Sequence, residues 1–153
     1  MPMDPHGIQR NRRLGNALIY ICASALTVSS GLKFLHPAKV VAYMGFLGYR
    51  NATVFLIAAV EILAAVLFLV PSTRAGGLLL VSAYFGGAIS AHLAHHEFVQ
   101  GGPFLQFNAT HPFLGTIPAW TLLLAAWFGV WLRHPEARWG AGMRQTASGS
   151  GSA

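Results

Sequence analysis

Residues 75–96 read AGGLLLVSAYFGGAISAHLAHH, an apolar, glycine-rich run that closes on three histidines. A hydrocarbon core about 30 Å thick takes about 20 mostly apolar residues per helix, so this run is expected to cross a bilayer with its imidazoles at one end. Three further blocks of the same kind lie around it. The expected spans are roughly 14–32, 53–70, 75–95 and 113–132. Composition agrees: 54% of the residues are hydrophobic, 9% are charged, and the mean hydropathy is +0.52. The apolar residues gather into blocks instead of spreading at soluble-protein periodicity. The fold expected is all-α, an integral membrane four-helix bundle.

A net charge of +6 and a pI near 10.3 would suit nucleic acid, but the basic residues hug the ends of the apolar blocks and form no stripe. Nucleic acid is therefore not an expected partner; the lipid bilayer is. With four spans, Arg10, Arg12, Arg13, Arg74, Arg133, Arg138 and Arg144 fall on one side and Lys33, Lys39 and Arg50 on the other. The excess of basic residues puts both termini of a multi-pass membrane protein in the cytoplasm. The first block is too long for a signal core and lacks a small-residue cleavage site, so it is expected to stay as the first span. Cys22 lies within it and is expected to pack.

Taken in order, residues 1–13 read as a mobile cytoplasmic lead-in, 14–139 as the membrane domain, and 140–153, ending TASGSGSA, as a flexible or appended linker outside the fold. Residues 34–52, bearing Lys39, Tyr43, Tyr49 and Arg50, read as an interfacial amphipathic segment on the outer surface. Pro71-Ser-Thr-Arg is the only cytoplasmic turn, which makes the second and third spans an antiparallel hairpin. In the third span Ala83, Gly87 and Ala91, and again Ser82, Gly86 and Ser90, recur every fourth position and predict a close helix contact. Trp120, Trp127 and Trp131 suit interfacial or lipid-facing anchors. The outer loop EFVQGGPFLQFNATHP is expected to lie partly across the bundle mouth. Asn51 and Asn108 match a glycosylation sequon, a weak three-residue signal.

Glu61 stands alone in the middle of the second span. An ionised carboxylate at that depth costs at least about 2.5–3.5 kcal/mol, so it needs a partner, a proton or a function. Lys33, at the outer end of the first span, and His92, near that of the third, lean inward, while Glu61 leans outward. Glu61 lies about 12 Å and His92 about 6 Å below their helix ends, an axial gap of about 6 Å. Lys33, Glu61 and His92 are expected to converge. His95 and His96 share a face with His92, with Tyr84 two turns below it. A carboxylate with histidines suits a transition metal, a proton relay or a quinone headgroup; equally, Glu61 with His92 or Lys33 forms a structural pair that holds helix register. No HExxH, ExxH or cysteine ligand set accompanies them, so no metal site is assigned. His36 and His111, each before a proline, read as turn residues.

These segments, SGLKFLHP, GFLGY, AAVEILAAVLFLVP and GGLLLVSAYFGGAISAHLAHHE, together resemble the DoxX-like family of small four-helix bacterial membrane proteins over roughly residues 14–132. The markers are Gly31 with Lys33, Glu61, and Ala91 with His92. The resemblance implies a place in the bacterial inner membrane and an association with quinol oxidase or with thiosulfate to quinone electron transfer, while other members accompany oxidative-stress proteins or act in assembly. Two functions follow. One is a redox accessory in which Lys33, Glu61, His92, His95, His96 and Tyr84 bind a quinone or similar molecule; electrons then come from a partner redox protein, since no haem, flavin or iron-sulfur motif is present. The other is a non-catalytic scaffold or assembly factor for a partner membrane protein. A homo-oligomer through the small-residue stripe fits either.

Overall fold

A computed structural model of the chain describes residues 5–35, 37–50, 52–94 and 110–133. His36, Asn51, His95, His96, Asn108, Arg138 and Arg144 lie outside them, as do residues 95–109 and the tail. Five helices are described: α1 (Pro5–Leu35), α2 (Ala38–Phe46), α3 (Ala52–Leu69), α4 (Arg74–Ala94) and α5 (Pro112–Arg133). Four of them, all but α2, are long and apolar enough to cross a membrane. The protein is a helical membrane bundle with no strand among the described residues.

α1 and α4 each pack against both α3 and α5, so the four spans form a square with α1 and α4 on one diagonal. Each span buries one narrow stripe. On α1 it runs Ile19, Cys22, Leu26, Ser30, Lys33; on α3, Val54, Ala58, Glu61, Ala65, Phe68; on α4, Arg74, Leu78, Val81, Phe85, Ile89. Steps of three and four keep such a seam facing its neighbours. The remaining faces carry large apolar side chains outward: Leu56, Leu79 and Leu124 are each more than 60% exposed. In water such faces would aggregate; against lipid tails they are solvated, and the backbone is satisfied within each helix. Cys22 packs in the core and donates to the Leu122 carbonyl at 3.3 Å.

Three expectations need correction. α1 begins at Pro5, not near residue 14, so residues 5–13 are helical and not a mobile lead-in. Arginine is a good helix former, and Arg10, Arg12 and Arg13 continue the helix without needing the hydrocarbon. α2 is not merely a surface segment: Met44, Phe46 and Leu47 are buried, and Phe46 and Leu47 cluster with Ala91 of α4. Gly48, at φ 83°, closes the helix by turning the chain so that the Tyr49 N–H reaches the Met44 carbonyl at 2.8 Å. Third, the small-residue stripe of α4 is not a tight seam, because a Cβ added at Gly86 or Gly87 would meet nothing within 4 Å. Small residues permit close approach without compelling it.

Close approach occurs elsewhere. A Cβ on Gly77 would sit 2.6 Å from the Leu67 carbonyl carbon, and one on Gly15 would sit 2.6 Å from the Gly129 carbonyl oxygen. The first pins α4 to α3 beside the Pro71 turn, and the second brings α1 and α5 together backbone to backbone. The expected antiparallel hairpin is present. Arg74 fastens it from within, donating from Nε to the Phe68 carbonyl at 3.1 Å and from Nη2 to the Leu69 carbonyl at 2.9 Å. These carbonyls end α3 and lack helical donors, so a buried guanidinium caps them. Trp120, Trp127 and Trp131 are each about half exposed on α5, as outward anchors are.

Candidate functional site

The last two turns of α1 put Ser29 and Lys33 on one face, four residues apart. Ser30, beside them, donates to the Ala58 carbonyl of α3 at 2.8 Å and holds the two helices in register. Lys33 Nζ then lies 2.9 Å from Glu61 Oε1, 3.0 Å from Oε2 and 2.6 Å from Ser29 Oγ. Ser29 donates to Glu61 Oε1 at 2.8 Å, and the Tyr84 hydroxyl donates to the same oxygen. Glu61 is completely buried and Lys33 nearly so. Two opposite charges withdrawn from water are tolerated only when their remaining lone pairs and hydrogens are also met. Here they are, and among the described residues no buried side-chain nitrogen or oxygen lacks a partner.

The expected third member is elsewhere. His92 makes no bond to Glu61. Its Nδ1 lies 2.7 Å from the Ala88 carbonyl, and its Nε2 pairs with the Tyr43 hydroxyl of α2. Helix geometry explains the exchange: His92 is two turns, about 12 Å, from Tyr84 along α4. Tyr84 is level with the carboxylate and has the longer side chain. The polar groups thus divide into an inner cluster of Ser29, Lys33, Glu61 and Tyr84, and an outer pair of Tyr43 and His92. The two rings of the outer pair lie with centroids 5.7 Å apart. Burial raises the Tyr43 phenol above its ordinary value, which keeps it protonated.

Both groups face one cavity of about 480 Å³. Its floor is Ser29, Lys33 and Tyr84; its roof is Tyr43, Met44 and Leu47 of the α2 segment; its side wall is Gly87, Ala88 and Ala91 of α4 against Gly115, Pro118 and Ala119 of α5. The open α4 stripe is therefore a cavity wall. Glu61 lies behind Ser29, Lys33 and Tyr84 and does not line it. Of the six residues singled out from sequence, Lys33, Tyr84 and His92 reach the cavity, Glu61 supports it, and His95 and His96 lie outside the described residues.

Ser29 and Tyr43 were missed as site residues. Ser29 carried a usable signal, since a hydroxyl one turn before a buried lysine can complete its hydrogen bonds. Tyr43 carried none beyond its place in the amphipathic segment. Among the described residues no three His, Cys, Asp or Glu side chains gather as a metal-ligand set. A mostly apolar cavity with a few convergent phenols, an imidazole and an ammonium is instead the usual make-up of a small-molecule site, and its volume lies in the range of about 300–1,000 Å³ of such sites.

The chain matches the DoxX-like family over residues 17–114, more than half its length. That stretch holds Ser29, Lys33, Tyr43, Glu61, Tyr84 and His92. No curated protein and no solved structure matches it.

Proposed function

The chain belongs to the DoxX-like family, and from that premise we propose that it is an accessory of membrane redox or quinone-linked metabolism, binding a quinone or a similar small apolar molecule in the cavity beneath α2. The observation that carries this reading is the cavity itself: apolar walls around Lys33, Tyr43, Tyr84 and His92. A bound quinone would supply two-electron, two-proton chemistry. The residues fit such a ring: Gly87, Ala88 and Ala91 would leave room for it, and the groups at floor and roof would hydrogen-bond it. Tyr43 and His92 form a hydrogen-bonded pair through which a proton can be held or passed at the roof. Electrons come from a partner redox protein. The charge bias supports both termini in the cytoplasm, and with them the cavity near the outer leaflet of the membrane.

A second reading is favoured by a different observation. Because Glu61 and Lys33 are met entirely by residues of this chain, the inner cluster is sufficient as a register lock for a non-catalytic scaffold or assembly factor.

One experiment separates the two. The protein is purified in mild detergent, its lipids are extracted for quinones, and Gly87→Leu and Glu61→Gln are treated alongside. A side chain at Gly87 enters open space, so Gly87→Leu should keep the thermal midpoint while excluding the ligand. Stoichiometric quinone in wild type, absent from Gly87→Leu, supports the redox accessory. No quinone in wild type, with Glu61→Gln only lowering yield and thermal midpoint, moves the conclusion to the scaffold.

A further inference from the structure

We propose that the arginine end of the bundle binds an anionic phospholipid, its headgroup phosphate held by Arg74 and Arg133 and one acyl chain laid in the groove between α1 and α3. The site is separate from the cavity beneath α2 and lies at the opposite end of the spans. α4 starts at Arg74 and α5 ends at Arg133. These two helices pack against each other and run antiparallel, so the two guanidinium groups arrive at one level.

Each group is held in place and still has hydrogens to give. The Arg133 stem lies across Gly15, where an added Cβ would come 3.0 Å from its Cγ. Its Nη1 donates to Asn16 Oδ1, which uses one of the five N–H donors that a guanidinium carries. Arg74 is only 8% exposed and gives Nε and Nη2 to the Phe68 and Leu69 carbonyls. Its Nη1 has no partner; since no buried side-chain nitrogen among the described residues lacks one, that edge lies at the surface. Arg133 and the Tyr20 phenol both lie within electrostatic reach of Arg74. Among the described residues the sole carboxylate is Glu61, which Lys33 meets deep in the bundle. Two guanidinium groups kept together with no protein anion beside them attract one from outside, and their planar forks match phosphate oxygens. Basic pockets between spans take anionic headgroups for this reason.

The groove decides between a lipid and a free phosphate. Tyr20, Ala23, Ser24, Thr27 and Val28 of α1 and Leu69 of α3 line a mostly apolar groove of about 260 Å³. Leu69 is the residue whose carbonyl Arg74 caps, so the groove starts at the guanidinium. Tyr20 to Val28 covers about 12 Å of helix, along which an acyl chain can lie. Ala23 and Ser24 are small and leave a hollow between Tyr20 and Val28, each 62% exposed. Thr27 returns its hydroxyl hydrogen to the Ala23 carbonyl at 2.9 Å and so presents its methyl without an unmet donor. A free phosphate uses the arginines alone, whereas a phospholipid uses the arginines and the groove together.

The test is equilibrium binding, read by native mass spectrometry, to the purified and delipidated protein in mild detergent. The probes are phosphatidylglycerol, phosphatidylcholine with the same acyl chains, and inorganic phosphate. Phosphatidylglycerol should bind at least about tenfold more tightly than phosphatidylcholine. Arg133→Gln should weaken phosphatidylglycerol about fivefold and leave phosphatidylcholine within about twofold. Arg10→Gln removes an exposed charge away from the site and should change neither by more than about twofold. Ser24→Phe fills the groove from an exposed position with both arginines kept, and should weaken both lipids at least about threefold at an unchanged thermal midpoint; it carries the test if Arg133→Gln folds poorly. Equal affinity for the two lipids, an effect of Arg10→Gln as large as that of Arg133→Gln, or Ser24→Phe without effect on either lipid overturns the inference. Inorganic phosphate bound as tightly as phosphatidylglycerol assigns the arginines to a soluble anion and overturns it as well.

Discussion

Glu61 and His92 each take a phenol hydroxyl, one from Tyr84 and the other from Tyr43, yet the two settings differ in what depends on them. Glu61 is fully buried, ion-paired and placed where α1, α3 and α4 meet, so its partners come from the two spans that flank its own. His92 is half-buried and joins α4 only to α2, the one described helix too short to cross the membrane. A group whose removal strands a charge in a low dielectric governs the stability of the bundle. A group that ties down a short peripheral helix governs local opening. The same hydrogen-bond chemistry thus serves cohesion at the cavity floor and access at its roof.

The largest effect should come from splitting the ion pair. Lys33→Ala leaves Glu61 buried without its cation and should cost about 3–5 kcal/mol, read as lost yield and a lower denaturation midpoint in detergent. The double change Lys33→Met with Glu61→Leu should recover much of that loss; a double variant as unstable as the single one would break the comparison. Tyr84→Phe removes one of several donors to the carboxylate and should cost about 1.5–3 kcal/mol, measured the same way. His92→Ala should leave the global midpoint within about 1 kcal/mol while speeding amide hydrogen exchange in α2. Tyr43→Phe should do the same more weakly, about 0.5–1.5 kcal/mol confined to α2. Global unfolding in either of these last two variants would place His92 with the inner cluster. Gly87→Leu closes the list, with no stability change beyond about 0.5 kcal/mol and loss of ligand as its sole readout.

The four spans were legible because bilayer thickness sets a length that any apolar block either meets or fails. That Glu61 needs a partner was legible for a related reason, since a charge at that depth must be met, but the sequence left both Lys33 and His92 open as that partner. The Tyr43 to His92 pair was not, because an imidazole within reach of several groups bonds whichever the tertiary packing brings closest. That depends on α2 folding inward through Met44, Phe46 and Leu47. The α4 stripe misled for a similar reason. Gly86 and Gly87 have open space, whereas Gly77, which no pattern singled out, touches the α3 backbone.

By itself the sequence determined the solvent, the number of spans, the antiparallel hairpin at Pro71 and the need of its one deep carboxylate for a partner. These follow from transfer free energies and chain geometry, which act residue by residue. Only the tertiary structure decided which face of each span is buried, since a helix that is apolar all round carries no amphipathic mark. It also decided that Tyr84 and not His92 reaches Glu61, and that the small residues of α4 wall a cavity instead of closing a seam. Such choices rest on differences of an ångström or two between packed helices, which local sequence does not encode.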